Sequence, residues 1–361
     1  MGTYKIAVIA GDGIGMEVVP AAIGVLDHVA AEHGFSLDWN TFDWGSERYV
    51  TTGQMLPPDG LERLRDHDAI FLGAVGRPDV PDHVSLWGLL IPIRRTFRQY
   101  VNLRPVRLFP GLRTPLADRG PDDIDFVIVR ENNEGEYSQV GGRLYEGTDD
   151  EIVVQEAVFT RRGVDRILRF AFDLAAARPK GHLSSATKSN GIVHSMPFWD
   201  ERVAAMATEY PAVRVDQFHI DILAAHFVQH PDWFDVVVAS NLFGDILSDL
   251  GPAIAGGMGL APSANINPER TYPSMFEPVH GSAPDIAGRG IANPVAQIWS
   301  GAMMLEHLGE RAAADAIVAA IAQVFSDGLV RTGDVGGTAS TTEMADAIVR
   351  ALGSERPATV R

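Results

Sequence analysis

Apolar residues recur along this chain in two alternating periods, one fitting strands and one fitting helices. Residues 4–10 alternate and then run apolar, which predicts a strand. Val18, Val19, Ala22, Ile23, Leu26 and Val29 follow at helical spacing, with Gly11-Asp12-Gly13-Ile14-Gly15 as the turn between. Strand, glycine turn and helix in that order open an α/β unit. Further buried strands are predicted over 68–75, 125–129, 182–186, 213–218 and 235–240, and a long alternating strand over 152–160. Helices are predicted over the second half of 87–100, over 163–178 with Ile167, Ala171 and Leu174 inward, from Asp245 onward, and over 294–307, 312–325 and 342–352. Residues 251–273, rich in Gly, Pro, Ala and Asn, read as a long connection, and 276–293 as a loop dense in Gly and Pro. The last helices bring no new set of strands and are expected to pack back on the first part of the chain. There is no internal repeat.

A chain of 361 residues exceeds one ordinary core, so two domains or one large α/β unit is expected. The composition, 46% hydrophobic and 21% charged, is that of a globular protein. No apolar run approaches the roughly 20 residues of a membrane span, and the first residues enter a strand without a signal-peptide pattern. The expectation is a cytoplasmic, enzyme-sized protein. A net charge of −17 argues against nucleic acid as a partner. The absence of cysteine removes disulfides and thiolate metal sites. The first glycine turn is not a dinucleotide fingerprint: Met16 stands where a third spaced glycine is needed, and no acidic residue closes a second strand at the required distance. Its glycines are assigned to a tight turn and close backbone packing.

Charge patterning supplies the candidate chemistry. Asp245 and Asp249 lie one helical turn apart, on one face, where they repel each other. Either a hard divalent cation sits between them, or one is favoured by the helix dipole and the other is solvated. Between His83 and Ala117 the chain has no Asp or Glu but carries Arg94, Arg95, Arg98, Arg104, Arg107 and Arg113. Such a stretch in an acidic protein builds either a pocket for a small anion, through bidentate guanidinium contacts, or a basic face paired with acidic helices. Of 30 basic residues only Lys5, Lys180 and Lys188 are lysines, and burial can turn a lysine into a base. At predicted element ends stand Arg94, Arg104 and Arg130 as candidate carboxylate clamps, Asp221, Asp245 and Asp249 as candidate metal ligands, and Lys188 and Tyr145 as candidate proton carriers. Taken singly, Lys188 also reads as a surface lysine and Tyr145 as a packing residue. His226-x-x-x-His230 lacks the glutamate of a zinc-protease motif and is followed by Pro231. Trp199, Trp233 and Trp299 read as core.

Five segments go further: Gly11-Asp12-Gly13-Ile14-Gly15, Asn102-Leu103-Arg104-Pro105, Val129-Arg130-Glu131-Asn132, 241–249 (Asn-Leu-Phe-Gly-Asp-Ile-Leu-Ser-Asp) and 277–288 (Glu-Pro-Val-His-Gly-Ser-Ala-Pro-Asp-Ile-Ala-Gly). Together they resemble the β-decarboxylating dehydrogenases, the family of isocitrate, 3-isopropylmalate, homoisocitrate and tartrate/D-malate dehydrogenases, over nearly the whole chain. The resemblance implies an α/β fold of isocitrate/isopropylmalate dehydrogenase type, not Rossmann: two lobes sharing a mixed sheet, in an obligate homodimer. It places 1–101 and 259–361 in a large cofactor-binding domain. It places 102–258 in a small domain with the metal ligands and a dimer arm near 143–160. It implies that Lys188 and Asp221 enter the neighbouring subunit's active site.

The implied reaction takes a hydride from C2 of a (2R)-2-hydroxy acid to NAD⁺ and then releases CO₂. Mn²⁺ or Mg²⁺ on Asp221, Asp245 and Asp249 would polarise the carbonyl. Lys188 would take the hydroxyl proton, Tyr145 would protonate C3, and Arg94, Arg104 and Arg130 would fix the carboxylates of a small dicarboxylate. A further monovalent cation such as K⁺ is left open. His280, Gly281, Ser282, Ala283, Asp285 and Ile286 form the expected cofactor loop, with Asn293 at the adenine. Asp285 would bind both ribose hydroxyls and repel a 2′-phosphate, which implies NAD. Within the family the loop 82–90 sets the substrate. Trp87 there, within His83-x-Ser85-Leu86-Trp87-Gly88, resembles the tartrate/D-malate branch and leaves room for a small substrate. Pro92 departs from that branch just before Arg94. The expected activity is oxidation of D-malate to pyruvate and CO₂, or oxidation of tartrate. The alternatives are a 3-isopropylmalate dehydrogenase and, more remotely, a non-catalytic regulatory homologue.

Overall fold

The strand Ala69–Ala74 is buried at every residue in the computed structural model, which describes residues 2–353. A strand covered on both faces must be apolar or small throughout, and this one reads Ala-Ile-Phe-Leu-Gly-Ala. Thr3–Gly11 runs parallel beside it, pairing Ile6 with Ala69 and Val8 with Phe71, and Ser36–Thr41 runs parallel beyond. On the other side lies Ser274–Pro278, parallel to Ala69–Ala74, followed by Pro262–Ile266, antiparallel to Ser274–Pro278. These strands belong to the first of two units, which runs to Gln99, takes in Arg107–Ile124 and resumes at Pro252. Helices Gly15–His33, Val295–Leu308, Arg311–Asp327 and Thr341–Leu352 pack together in it. Val295–Leu308 is buried without a break from Val295 to Leu305, as its near-continuous apolar sequence requires.

The second unit comprises Tyr100–Val106 and Asp125–Gly251. Its strands lie in the order Val101–Arg107, Asp125–Glu131, Val236–Ala239, His182–Thr187, Arg214–His219. The last four are mutually parallel neighbours, so their carboxyl ends share one edge. Parallel connection needs crossovers, and helices Arg161–Ala177, Ser195–Ala207 and Ile220–Gln229 supply them. An exposed hairpin, Gly141–Leu144 against Ile152–Gln155, stands apart. Segment 107–124, expected in the small domain, groups with the first unit; there Phe109 packs on Trp299 and Phe325.

Three predicted elements differ. The connection 251–273 contains the buried strand Pro262–Ile266. Ser263, Ala264 and Asn265 carry no strand signature, and tertiary partners hold them: Asn265 donates to Glu277 and Ser300 Oγ meets the Ser263 amide. The strand expected over 152–160 stops at Gln155. Val158 forms only a bridge to Gly135, and Thr160 caps the next helix by accepting from the Gly163 amide. The helix before Tyr100 starts earlier, at Asp82, and widens into a π turn over Leu86–Leu90. Pro92 lacks an amide hydrogen and would crowd the carbonyl four residues back; the Ile91 amide reaches Leu86 instead, one residue further than in an α-helix.

Candidate active site

The second unit gathers its charges where Asp125–Glu131 ends and Asn241–Ile254 begins. Gly244 lets that helix come close to Arg130, whose Cβ would lie 2.6 Å from a Cβ built on Gly244. Arg130 is 2% exposed. It donates through Nη2 and Nε to Asn241 Oδ1 at 2.7 and 3.1 Å and pairs through Nη1 with Asp245. Arg104, on Val101–Arg107, is buried, donates to Ser248 Oγ and lies 3.9 Å from both Asp245 and Asp249. The two aspartates thus share one helix face with two guanidinium groups against it. Burial pushes the Asp249 carboxyl up, Arg104 pulls it down, and Asp245 adds to the rise.

Tyr137 completes this cluster. Its hydroxyl donates to Asp245 Oδ2 at 2.6 Å. Burial, then that bond to a carboxylate, pushes its pKa up to about 12. The expected proton carrier, Tyr145, stands elsewhere: it is 66% exposed at the end of the hairpin strand Gly141–Leu144, with φ 54°. The one sequence signal for Tyr137 is its place after Arg130, on the segment leaving the same strand. Glu131, Glu134 and Glu136 fix that segment. Glu131 accepts from the Asn133 and Glu134 amides, Glu134 grips Thr160, and Glu136 accepts from Ser240 Oγ and the Leu242 amide. Glu131 is fully buried, and burial raises its pKa to about 7 despite Arg166 at 3.5 Å.

Lys188 and Asp221 form a separate pair, with Nζ 2.7 Å from Oδ1. The bond from Lys188 holds the Asp221 carboxyl below its ordinary range. Asp221 opens Ile220–Gln229, beyond the edge strand Arg214–His219. The three expected metal ligands therefore do not meet in one chain: among the described residues no group of three or more His, Cys, Asp or Glu could hold a metal ion. Asp245 and Asp249 offer hard oxygen donors, which suit Mg²⁺ or Mn²⁺. His226 and His230 instead lie in an aromatic cluster, His230 stacked on Trp233.

In the first unit, Arg94 is 8% exposed and donates to Glu277 Oε1 at 2.7 Å, an oxygen that also accepts from Asn265. The Nε of Arg94 is buried without a hydrogen-bond partner. Glu277 stands 183 residues from Arg94, a pairing that no local pattern predicts. Trp87 lies in the π turn with the Arg95 guanidinium 5.1 Å from its ring. The expected cofactor loop follows Ser274–Pro278. His280 Nδ1 lies 3.0 Å from the Gly281 carbonyl, and burial lowers its pKa. Gly281 and Asp285 are exposed, Ser282 is buried, Ala283 has φ 40°, and Ile286 packs with Ala283 on Ile14 and Val18. Asp285 has no hydrogen-bond partner among the described residues and offers a free carboxylate, as a ribose diol requires. The Asn293 amide is engaged by Asp334 and by the Val295 amide.

Residues 5–348 match the family described as isocitrate/isopropylmalate dehydrogenase. The chain is 60% identical to D-malate dehydrogenase [decarboxylating] of Escherichia coli (strain K12), over 98% of this chain and 99% of that protein. It is also 60% identical to tartrate dehydrogenase/decarboxylase of Pseudomonas putida, over 96% and 97% respectively. Among solved structures, isocitrate dehydrogenase from Methylococcus capsulatus superposes with a TM-score of 0.87 at 37% identity, covering 97% of this chain and 99% of that one. The α/β architecture is therefore the one expected, and the chain belongs to the isocitrate/isopropylmalate dehydrogenase family.

Proposed function

We propose that this enzyme oxidises and decarboxylates a small (2R)-2-hydroxy dicarboxylate with NAD⁺ and a divalent cation, converting D-malate to pyruvate and CO₂ or oxidising tartrate. The observation that carries the reading is the cluster of Arg104, Arg130, Asp245, Asp249 and Tyr137: paired guanidiniums for carboxylates beside paired carboxylates for a cation, with a phenol between. The names of the two relatives support the same chemistry.

When bound, NAD⁺ would accept the C2 hydride, and a cation on Asp245, Asp249 and a second copy's Asp221 would supply a Lewis acid. The chain's own residues do the rest. Arg94, Arg104 and Arg130 fix the substrate carboxylates. Lys188 of the same second copy, which lies beside that copy's Asp221, takes the C2 hydroxyl proton as the neutral amine. Tyr137, kept neutral by its raised pKa, holds a proton for C3 once CO₂ has left. Trp87 limits the C3 substituent.

A homodimer follows from the same reading. Leu144, Ile152, Val153 and Val154 on the hairpin and Ile222 and Val228 on Ile220–Gln229 are exposed apolar residues, which a second copy would cover. No described helix is long and apolar enough to cross a membrane.

The test is a substrate panel on the purified protein with NAD⁺ and Mn²⁺, reading NADH and CO₂. D-malate or tartrate should be turned over far faster than 3-isopropylmalate. A preference for 3-isopropylmalate by orders of magnitude would assign the enzyme to leucine synthesis. Absence of metal-dependent NADH from every C4 to C7 hydroxy diacid would indicate a regulatory homologue.

A further inference from the structure

The turn Gly11–Gly15 has no role in the chemistry above, yet it and the helix it opens hold the expected cofactor loop at several points. The Ile14 amide donates to the Ser282 carbonyl at 2.9 Å. Gly13, at φ 54°, allows this approach: a Cβ there would lie 2.1 Å from the Ser282 carbonyl oxygen. Ile14 and Val18 pack against Ala283, Ile286, Ala287 and Ala292. One turn into the helix, Glu17 reaches across with both carboxylate oxygens: Oε1 accepts from the Gly288 amide at 2.5 Å and Oε2 from the Gly290 amide at 2.8 Å. On the far side Thr341 holds the Gly290 and Ala292 carbonyls.

We propose that Glu17 is a positioning residue for NAD⁺: it clamps the Gly288 and Gly290 amides and so sets the loop that presents Asp285 and Ile286 to the adenosine ribose. The inference rests on the assignment of residues 280–288 to the cofactor. Both glycines have positive φ, 77° and 64°, a geometry with large backbone freedom when untethered. Glu17 supplies two charge-assisted bonds, the stronger kind, to the backbone that follows Asp285. Glu17 is half-buried and lies outside the buried apolar residues of its helix, so its replacement leaves the core intact. A loop set before the ligand arrives binds more tightly than one ordered on binding. The glycine turn and its helix thus contribute to cofactor binding through the loop they hold.

The experiment uses the full-length protein with Glu17→Ala, Glu17→Gln and, as companion, Asp285→Ala. Hydrogen exchange of the cofactor-free protein at residues 286–291 reads the clamp, and calorimetric titration with NAD⁺ reads its consequence. In Glu17→Ala these amides should exchange faster and the NAD⁺ Kd should rise by about tenfold. The kcat at saturating NAD⁺ and the KM for D-malate should stay within about twofold. Glu17→Gln, retaining one acceptor oxygen, should fall between. Unchanged exchange in Glu17→Ala would overturn the clamp. Faster exchange with an unchanged Kd, while Asp285→Ala weakens NAD⁺, would overturn the positioning role and leave the cofactor assignment standing. NAD⁺ binding indifferent to Asp285→Ala would remove that assignment, and the inference with it.

Discussion

The acid–guanidinium cluster and the cofactor loop hold their functional groups in opposite ways. In the cluster, two buried guanidiniums fix more exposed carboxylates: Arg130 grips Asn241 and Asp245, Arg104 lies against both aspartates, and Tyr137 closes the ring. In the loop, the backbone is held and the side chain offered to a ligand, Asp285, is left free and exposed. The cluster suits transition-state chemistry, where preorganised charge matters most. The loop suits recognition: on the proposed reading a single carboxylate, Asp285, would discriminate between two cofactors. Substitutions should therefore act on kcat in the first region and on cofactor affinity or choice in the second.

The sharpest contrast pairs the two tyrosines. Tyr137→Phe should lower kcat for D-malate by roughly 10²–10⁴, the usual worth of a general acid. Tyr145→Phe should stay within about twofold, as for an exposed residue outside the cluster; steady-state rates on both variants decide between them. Next in size, Asp285→Lys should shift the ratio of kcat/KM for NAD⁺ over NADP⁺ by about a hundredfold toward NADP⁺, since a repulsion becomes an ion pair. Arg94→Lys keeps the charge but loses the planar fork and should raise the D-malate KM by about tenfold, with the NAD⁺ KM unmoved.

The smallest effect concerns pH and stability. The folded pKa of Glu131, about 7, lies above its ordinary 4.5 because burial disfavours the carboxylate. Its contribution to stability is therefore full below about 4.5 and is lost as pH rises through about 7. Glu131→Gln cannot ionise, so its Tm should improve relative to the native chain by a few degrees between pH 5 and 8. A constant Tm difference across that range would show that Glu131 does not titrate there.

Much of this arrangement was legible in the sequence because chemistry and spacing coincide there. Asp245 and Asp249 share a face by helical period alone, and Arg130 follows the strand predicted over 125–129, whereas Arg104 lies within Val101–Arg107, a strand the pattern does not predict. Other features required tertiary structure. The strand Pro262–Ile266 is specified by partners such as Glu277 and Ser300 rather than by propensity. Tyr137 and Tyr145 flank the same glycine-rich stretch, and only the path of the chain decides which one reaches Asp245. Asp221 falls apart from the other aspartates because the strand His182–Thr187 intervenes in the sheet order, a separation invisible to spacing. Glu17 gains its partners 271 and 273 residues away, beyond any local pattern.

The most direct measurement is a crystal structure of the enzyme with D-malate and Mn²⁺. The account predicts the ion on Asp245 and Asp249, with Asp221 of a second copy as the third acid, and the malate carboxylates on Arg104 and Arg130. A malate bound away from these arginines, with Asp245 and Asp249 open to bulk water and no ion between them, would contradict it.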